Sequence, residues 1–170
     1  PHTPLLCAAA LAATSGCVMT EATETRTFNH AGFDAIDASG GVNLVLKQGP
    51  FAINAEGPKS KLDKLVFKQD GSTLSIHRES SSFSWFSVGS HDVVTITAPT
   101  YTRINATGGA DVETAGLTLP ALALRVTGGA DFDASGFQVD QLNVEGSGGG
   151  DVRIAGVCKS ATINASGGAD

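Results

Sequence analysis

Four aspartates stand at the same place in a recurring string. Asp111 closes Ile104-Asn-Ala-Thr-Gly-Gly-Ala-Asp, and Asp131 closes Leu124-Arg-Val-Thr-Gly-Gly-Ala-Asp. Asp151 closes Val144-Glu-Gly-Ser-Gly-Gly-Gly-Asp, and Asp170 closes Ile163-Asn-Ala-Ser-Gly-Gly-Ala-Asp. Successive aspartates are 20, 20 and 19 residues apart. Stacked carboxylates are oxygen ligands of the kind a hard cation takes, which makes Asp111, Asp131 and Asp151 a Ca²⁺ alternative. The string shares Gly-Gly-x-Asp with the Ca²⁺-binding nonapeptide repeat, but lacks that repeat's further glycine and has more than twice its period. The simpler chemistry is structural: an aspartate after a glycine turn accepts a hydrogen bond from a backbone N–H. Acid–base hydrolysis would need two acids converging on a cleft, one with a raised pKa. Equivalent members of one turn type do not predict convergence. The expectation is no catalytic residue, no metal centre and no cofactor. Gly108, Gly109, Gly128, Gly129, Gly148, Gly149, Gly167 and Gly168 are expected to serve, with the aspartates, as structural turns.

Other residue types offer less. His77 and His91 are isolated, and His91 next to Asp92 in sequence does not make a triad. The glycine turns lead into strand-like segments, so they do not form a phosphate cradle at a helix N-terminus. Phe83, Trp85 and Phe86 lie in a Ser-rich stretch, residues 80–91. They suit either a contact patch for a partner or a cap on the apolar core. Cys158 is expected to be a small core residue, and the three cysteines give no disulfide framework.

The N-terminal residues read differently from the rest. Leu5 to Ala13 is an uncharged apolar run, and the first charge is Glu21. That is the layout of a secretory signal, too short to span a bilayer. The positive n-region is missing and the chain starts at Pro1, so an N-terminal truncation is expected. Cys17 follows Ala-Thr-Ser-Gly, a string similar to a bacterial lipobox, with Thr14 where a leucine is usual. Lipidation at Cys17 is the expectation, and plain signal cleavage nearby is the rival. Residues 1–17 are thus read as the signal, 18–32 as a linker and 33–170 as one domain.

The elements that position these residues follow from composition and period. The chain has 170 residues, 41% hydrophobic and 16% charged, with 21 glycines. High Gly, Ser, Thr and Val with little charge suit short strands and tight turns. A net charge of −6 without a Lys/Arg run excludes a nucleic-acid surface. Lys59 to Phe67 reads as one short helix, with Lys59, Lys61, Lys64 and Lys68 on a solvated face. Within the 20-residue period, Ile104, Leu124, Val144 and Ile163 form an apolar column. Val112, Phe132 and Val152 form a second; Thr114, Ala134 and Ile154 a third; Leu117, Phe137 and Val157 a fourth. Gly116, Gly136 and Gly156 mark a shared bend. Alternation inside such a period predicts coils that bury their apolar faces by stacking at about 4.8 Å. The expected fold is an all-β, right-handed parallel β-helix of about 20 residues per coil, preceded by a smaller β section. Asp170 falls in mid-coil, so a C-terminal truncation is expected too.

From Phe33 to Asp170 the chain resembles a known family. The residues that carry the resemblance are Leu62-Asp-Lys-Leu-Val-Phe, Gly71-Ser-Thr-Leu-Ser-Ile, Val93-Val-Thr-Ile-Thr-Ala-Pro and the serial Ser/Thr-Gly-Gly-x-Asp turns. They are similar to the auto-transporter adhesin family of the head GIN domain, with Gly41-Val42-Asn43 the nearest string to its name motif. The resemblance implies a β-helical fold and export, often as a lipoprotein. It assigns no chemistry. The functional expectation is therefore a non-catalytic, adhesin-like binding or scaffolding protein of the bacterial cell envelope. A glycan or an envelope protein is its class of partner, and the N-terminal lipid its only membrane contact. The alternative is a polysaccharide-active β-helix hydrolase or lyase.

Overall fold

The computed structural model describes residues 21–79 and 92–170. Among them the chain forms, in order, β1 (Thr23–Phe28), β2 (Ala35–Ser39), β3 (Asn43–Gln48), β4 (Ala52–Pro58) and one helical turn, α1 (Lys59–Leu62). Then come β5 (Leu65–Asp70), β6 (Thr73–Arg78), β7 (Val93–Ala98), β8 (Arg103–Thr107) and β9 (Asp111–Ala115). The long strands β10 (Thr118–Gly128), β11 (Asp131–Gly148) and β12 (Val152–Gly167) complete the all-β architecture. Strict alternation makes these strands. In β9, Val112 and Thr114 are buried while Asp111, Glu113 and Ala115 are exposed, the period-2 signature of a half-buried strand.

All twelve strands belong to one sheet, ordered β1-β4-β7-β3-β9-β11-β10-β8-β2-β6-β5, with β12 also on β11. The sheet curls because β11 serves two neighbours. Its Asp131–Ser135 part pairs with β9, and its later part, from Gln138, pairs with β10. Two arms therefore meet on β11 and β12. The first arm carries β9, β3, β7, β4 and β1; the second carries β10, β8, β2, β6 and β5. Apolar residues from both arms fill a single core between them. The result is an open sheet curled like half a barrel.

Like residues stack on like along each arm. On the second arm the parallel register aligns Leu74, Ile36, Ile104, Leu124, Val144 and Ile163. On the first it aligns Val94, Leu44, Val112, Phe132 and Val152. Burying a Val, Leu, Ile or Phe side chain contributes about 1.5–3 kcal/mol, so each ladder is a main source of stability as far as β11; on β12, Val152 is only partly buried and Ile163 is 66% exposed. Thr114 sits in this core because its hydroxyl donates to the Leu46 carbonyl at 3.0 Å. The far ends of the arms close with antiparallel strands, β4 on β7, β1 on β4, and β5 on β6. Those edge strands carry charges such as Glu24, Arg26 and Lys68, which blunt edge-to-edge association.

Several expectations are corrected here. Part of the presumed linker, Thr23–Phe28, is β1, held by six register pairs to β4. The helix ends at Leu62, and Leu65–Asp70 is a strand because Phe67 and its neighbours pair with β6. The fourth column breaks in the last, 19-residue period: Phe137 faces Gly156 across an irregularity, and Val157 moves opposite Gln138. Val157 is consequently 74% exposed. A Cβ on Gly156 would lie 2.1 Å from the Phe137 carbonyl oxygen, so only glycine fits that irregularity.

The columns also include a copy that the 20-residue period does not reveal. Ile36-Asp-Ala-Ser-Gly-Gly-Val-Asn43 lies in register with Ile104-Asn-Ala-Thr-Gly-Gly-Ala-Asp111, 68 positions later. Where β2 passes to β3, β8 to β9 and β10 to β11, the chain turns the same corner between the arms. The first glycine of each pair makes it possible. Gly128 has φ +79°, and a Cβ there would lie 3.1 Å from the Gly108 nitrogen. Gly129 has no positive φ, and a Cβ there would meet nothing within 4 Å. Gly128→Ala is therefore expected to destabilise the protein by about 1–2 kcal/mol or more. Gly129→Ala should stay within about 0.5 kcal/mol. Paired urea denaturation curves measure the difference, and equal losses would refute this account of the corner.

Candidate functional site

The aspartate string folds into a ladder beside the corner. Asn43, Asp111 and Asp131 are register partners on the first arm. Asp151 joins them by donating its backbone N–H to the Asp131 carboxylate at 3.0 Å. Its own carboxylate meets Arg153 at 2.7 Å. Glu113 and Asp133 form a parallel row two residues further along the strands. Strand alternation sends all of these outward, away from the core. Asp170 is exposed and offers its backbone carbonyl to the Val152 N–H at 2.8 Å.

An open groove of about 550 Å³ runs over this face, with Val45 and Val93 in its lining and Asp111, Glu113, Asp131 and Asp133 along it. Burial first, and then the Asp131 carboxylate, hold the Asp111 carboxyl above its ordinary range. Among the described residues no three His, Cys, Asp or Glu side chains gather closely enough to hold a metal ion. The carboxylates thus lie flat along the sheet and do not converge.

The second candidate, the aromatic stretch, is located by its stems. Ala38 and Ile76 are register partners, as are Leu44 and Val94. From Ala38 to Leu44 is six positions and from Ile76 to Val94 is eighteen, so the β6–β7 corner holds twelve extra residues. Phe83, Trp85 and Phe86 belong to that insertion and lie outside the described residues, as does His91. Its base is an ionic cluster that sequence reading missed. Asp92 is 2% exposed, with Arg78 Nη2 at 2.5 Å and Lys61 Nζ at 3.9 Å. Arg78 also donates to the Lys61 and Gly41 carbonyls. Gly57 leaves room for the cluster, since a Cβ there would sit 2.6 Å from that of Asp92. No sequence signal links Arg78 to Asp92, because fourteen positions separate them.

Cys17 also lies outside the described residues. The chain just beyond it is docked: the Glu21 carboxylate accepts bonds from Ser60 N at 2.7 Å and Ser60 Oγ at 2.5 Å. These bonds hold the Glu21 carboxyl below its usual range. Cys158 is exposed, contrary to its expected place in the core. The shift that carries Val157 outward makes Cys158 the register partner of the buried Val139, so it lies on the core side of β12, which among the described residues pairs only with β11 and is left open.

The chain has relatives that share this architecture. Residues 32–170 match the family described as "Putative auto-transporter adhesin, head GIN domain". A "putative adhesin" from Bacteroides fragilis NCTC 9343 superposes with a TM-score of 0.76 at 23% identity, over 87% of this chain and 69% of that one. A "putative adhesin" from Parabacteroides distasonis ATCC 8503 gives 0.57 at 14% identity, over 85% and 70%. A "putative lipid binding protein" from the same strain gives 0.54 at 18% identity, over 85% and 72%. At these identities the likeness is one of fold. Among curated proteins none is significantly similar.

The raised Asp111 carboxyl sets a sign for stability. Its penalty is absent below the ordinary aspartate pKa, where the group is protonated folded and unfolded alike. It appears as pH rises through the carboxylate range, and it persists at neutrality. Asp111→Asn is expected to raise the urea midpoint at about pH 7 and to change it less near pH 3. A lower midpoint at neutral pH would show that the carboxylate makes a net stabilising contact.

Proposed function

Because the chain belongs to the head GIN domain family of auto-transporter adhesins, we propose that it is a non-catalytic binding or scaffolding protein displayed at the cell envelope. In this reading residues 33–170 form a right-handed parallel β-helix of about 20 residues per coil. The observation that carries the reading is the run of parallel registers at that period, from β8 through β12. Parallel crossover connections are right-handed almost without exception, which supplies the hand. A stacked ladder presents long flat faces suited to contact with extended partners. Its acids run in rows, whereas a hydrolase or lyase would bring two of them across a cleft.

Export and anchoring rest on the N-terminal sequence. The apolar run from Leu5 to Ala13 would direct secretion, and Cys17 would receive the lipid. Docking of Glu21 on Ser60 would then hold the domain within a few residues of that anchor. Among the described residues no helix is long and apolar enough to cross a membrane. Phe83, Trp85 and Phe86, on the corner insertion, are the residues we assign to partner contact, with a glycan or an envelope protein as the class of partner.

One set of measurements on the full-length protein in bacterial envelopes tests the assignment. Mass spectrometry should find lipid on Cys17, and Cys17→Ala should leave the protein unacylated. On a glycan array, Trp85→Ala should abolish the binding shown by the unaltered protein while leaving its urea midpoint in place. A loss of about 3–5 kcal/mol in that variant would mean that Trp85 is a core cap instead. A mature N-terminus elsewhere, without lipid, would remove the anchor from the proposal.

A further inference from the structure

β3 and β4 are joined by only three residues, Gly49-Pro50-Phe51, yet they are not neighbours in the sheet. β7 lies between them, parallel to β3 and antiparallel to β4. β7 comes late: Ile96 is 50 positions after its partner Leu46 and 43 after its partner Ile53. Local pairing is faster than pairing across such separations, because loop-closure entropy grows with length and hairpins form within microseconds. Until β7 arrives, the nearest partner of β3 is β4.

The register shows that such a direct pair would be well formed. Through β7, Leu46 stands opposite Ile53, Leu44 opposite Ala55 and Lys47 opposite Ala52. If β7 is removed and the gap closed without slippage, the same residues become direct cross-strand partners. Leu44, Leu46, Ile53 and Ala55 then share one face, as they do in the core. The connection in that register is a two-residue turn, Gly49-Pro50, with glycine at the first central position as a type II′ hairpin turn requires. In the folded protein Gly49 has no positive φ, and its N–H donates to Ala98 at the end of β7 at 3.0 Å. No type II′ turn is present there, and the Gly49 donor is taken by β7.

We infer that β3 and β4 first form a direct hairpin, and that β7 enters the sheet by splitting it without changing its register. The hairpin is a clasp that aligns both flanks of the slot before β7 arrives. Insertion is then fixed by groups that only the split form brings together. The Tyr101 hydroxyl reaches the Lys47 and Ile96 carbonyls, each at 2.9 Å, across β3 and β7. The Gln48 side-chain amide donates to the Pro99 carbonyl beyond β7 at 3.0 Å.

The test uses the full chain with Lys47→Cys and Ala52→Cys, and Cys7, Cys17 and Cys158 replaced by Ser. Both new thiols face outward from exposed positions. In the folded protein they stand two strand spacings apart, roughly 9–10 Å, beyond the ~7 Å limit between Cα atoms for a disulfide. In the clasp they are direct partners. Oxidation during refolding should trap the engineered bond in a species without amide protection in β7, and reduction should release it to the native state. Oxidation of the folded protein should be at least tenfold slower. Pulsed hydrogen exchange on the unaltered protein gives a second reading: amides of β3 and β4 should gain protection before those of β7. Failure to trap the bond in a variant that refolds when reduced would overturn the inference. So would protection of β7 together with, or ahead of, β3 and β4.

Discussion

Parallel stacking without slippage is the constraint on which everything else in this molecule depends. Side chains alternate between the faces of a strand, so a slip of one residue would send every core residue to solvent. The ladders from Leu74 to Ile163 and from Val94 to Val152 hold that register on both arms at once. The corner glycines matter because they let two backbones approach as closely as the register demands. The rows of Asp111, Asp131 and Asp151 are a by-product of the same rule. A residue repeated once per period is repeated once per strand spacing, so its chemistry appears as a line and not as a cluster.

That distinction bears on what the protein does. Converging acids would come from different elements brought to one point, as catalytic residues do. Here the outward rows come from equivalent positions, and their charges repel each other or pair locally, as Asp151 does with Arg153. The Asp111 carboxyl feels that repulsion from Asp131 as well as its own partial burial.

The strands of the regular section were legible because one residue type recurs at one height. Ile104, Leu124 and Val144 could be aligned by eye and do stack. The copy at Ile36–Asn43 was hidden because its next equivalent lies 68 positions away, with Asn43 where later copies have Asp. A search for Ser/Thr-Gly-Gly flanked by alternation, free of a fixed period, would have found it. Val157 was misplaced for the opposite reason: a strict period was assumed through Gly156, where the last period loses one residue. Cys158 stands opposite the buried Val139 and is exposed because it sits on the open last strand. The Arg78–Asp92 pair was out of reach, since each lies at one stem of an insertion and only the fold brings the stems together.

The insertion between β6 and β7 separates two properties that most sheets tie together. Twelve residues enter at a corner, yet Ile76 still meets Ala38 and Val94 still meets Leu44. Length added at this corner leaves the height of each flanking strand unchanged. The entropic cost of a longer loop grows only with the logarithm of its length. Corners are therefore places where a lineage can try new surface chemistry while the ladder beneath continues to fold as before. The other corners, closed by two glycines apiece, are the unelaborated form of the same position. In such an architecture variation is expected to gather at the corners, and the strands between them to change slowly.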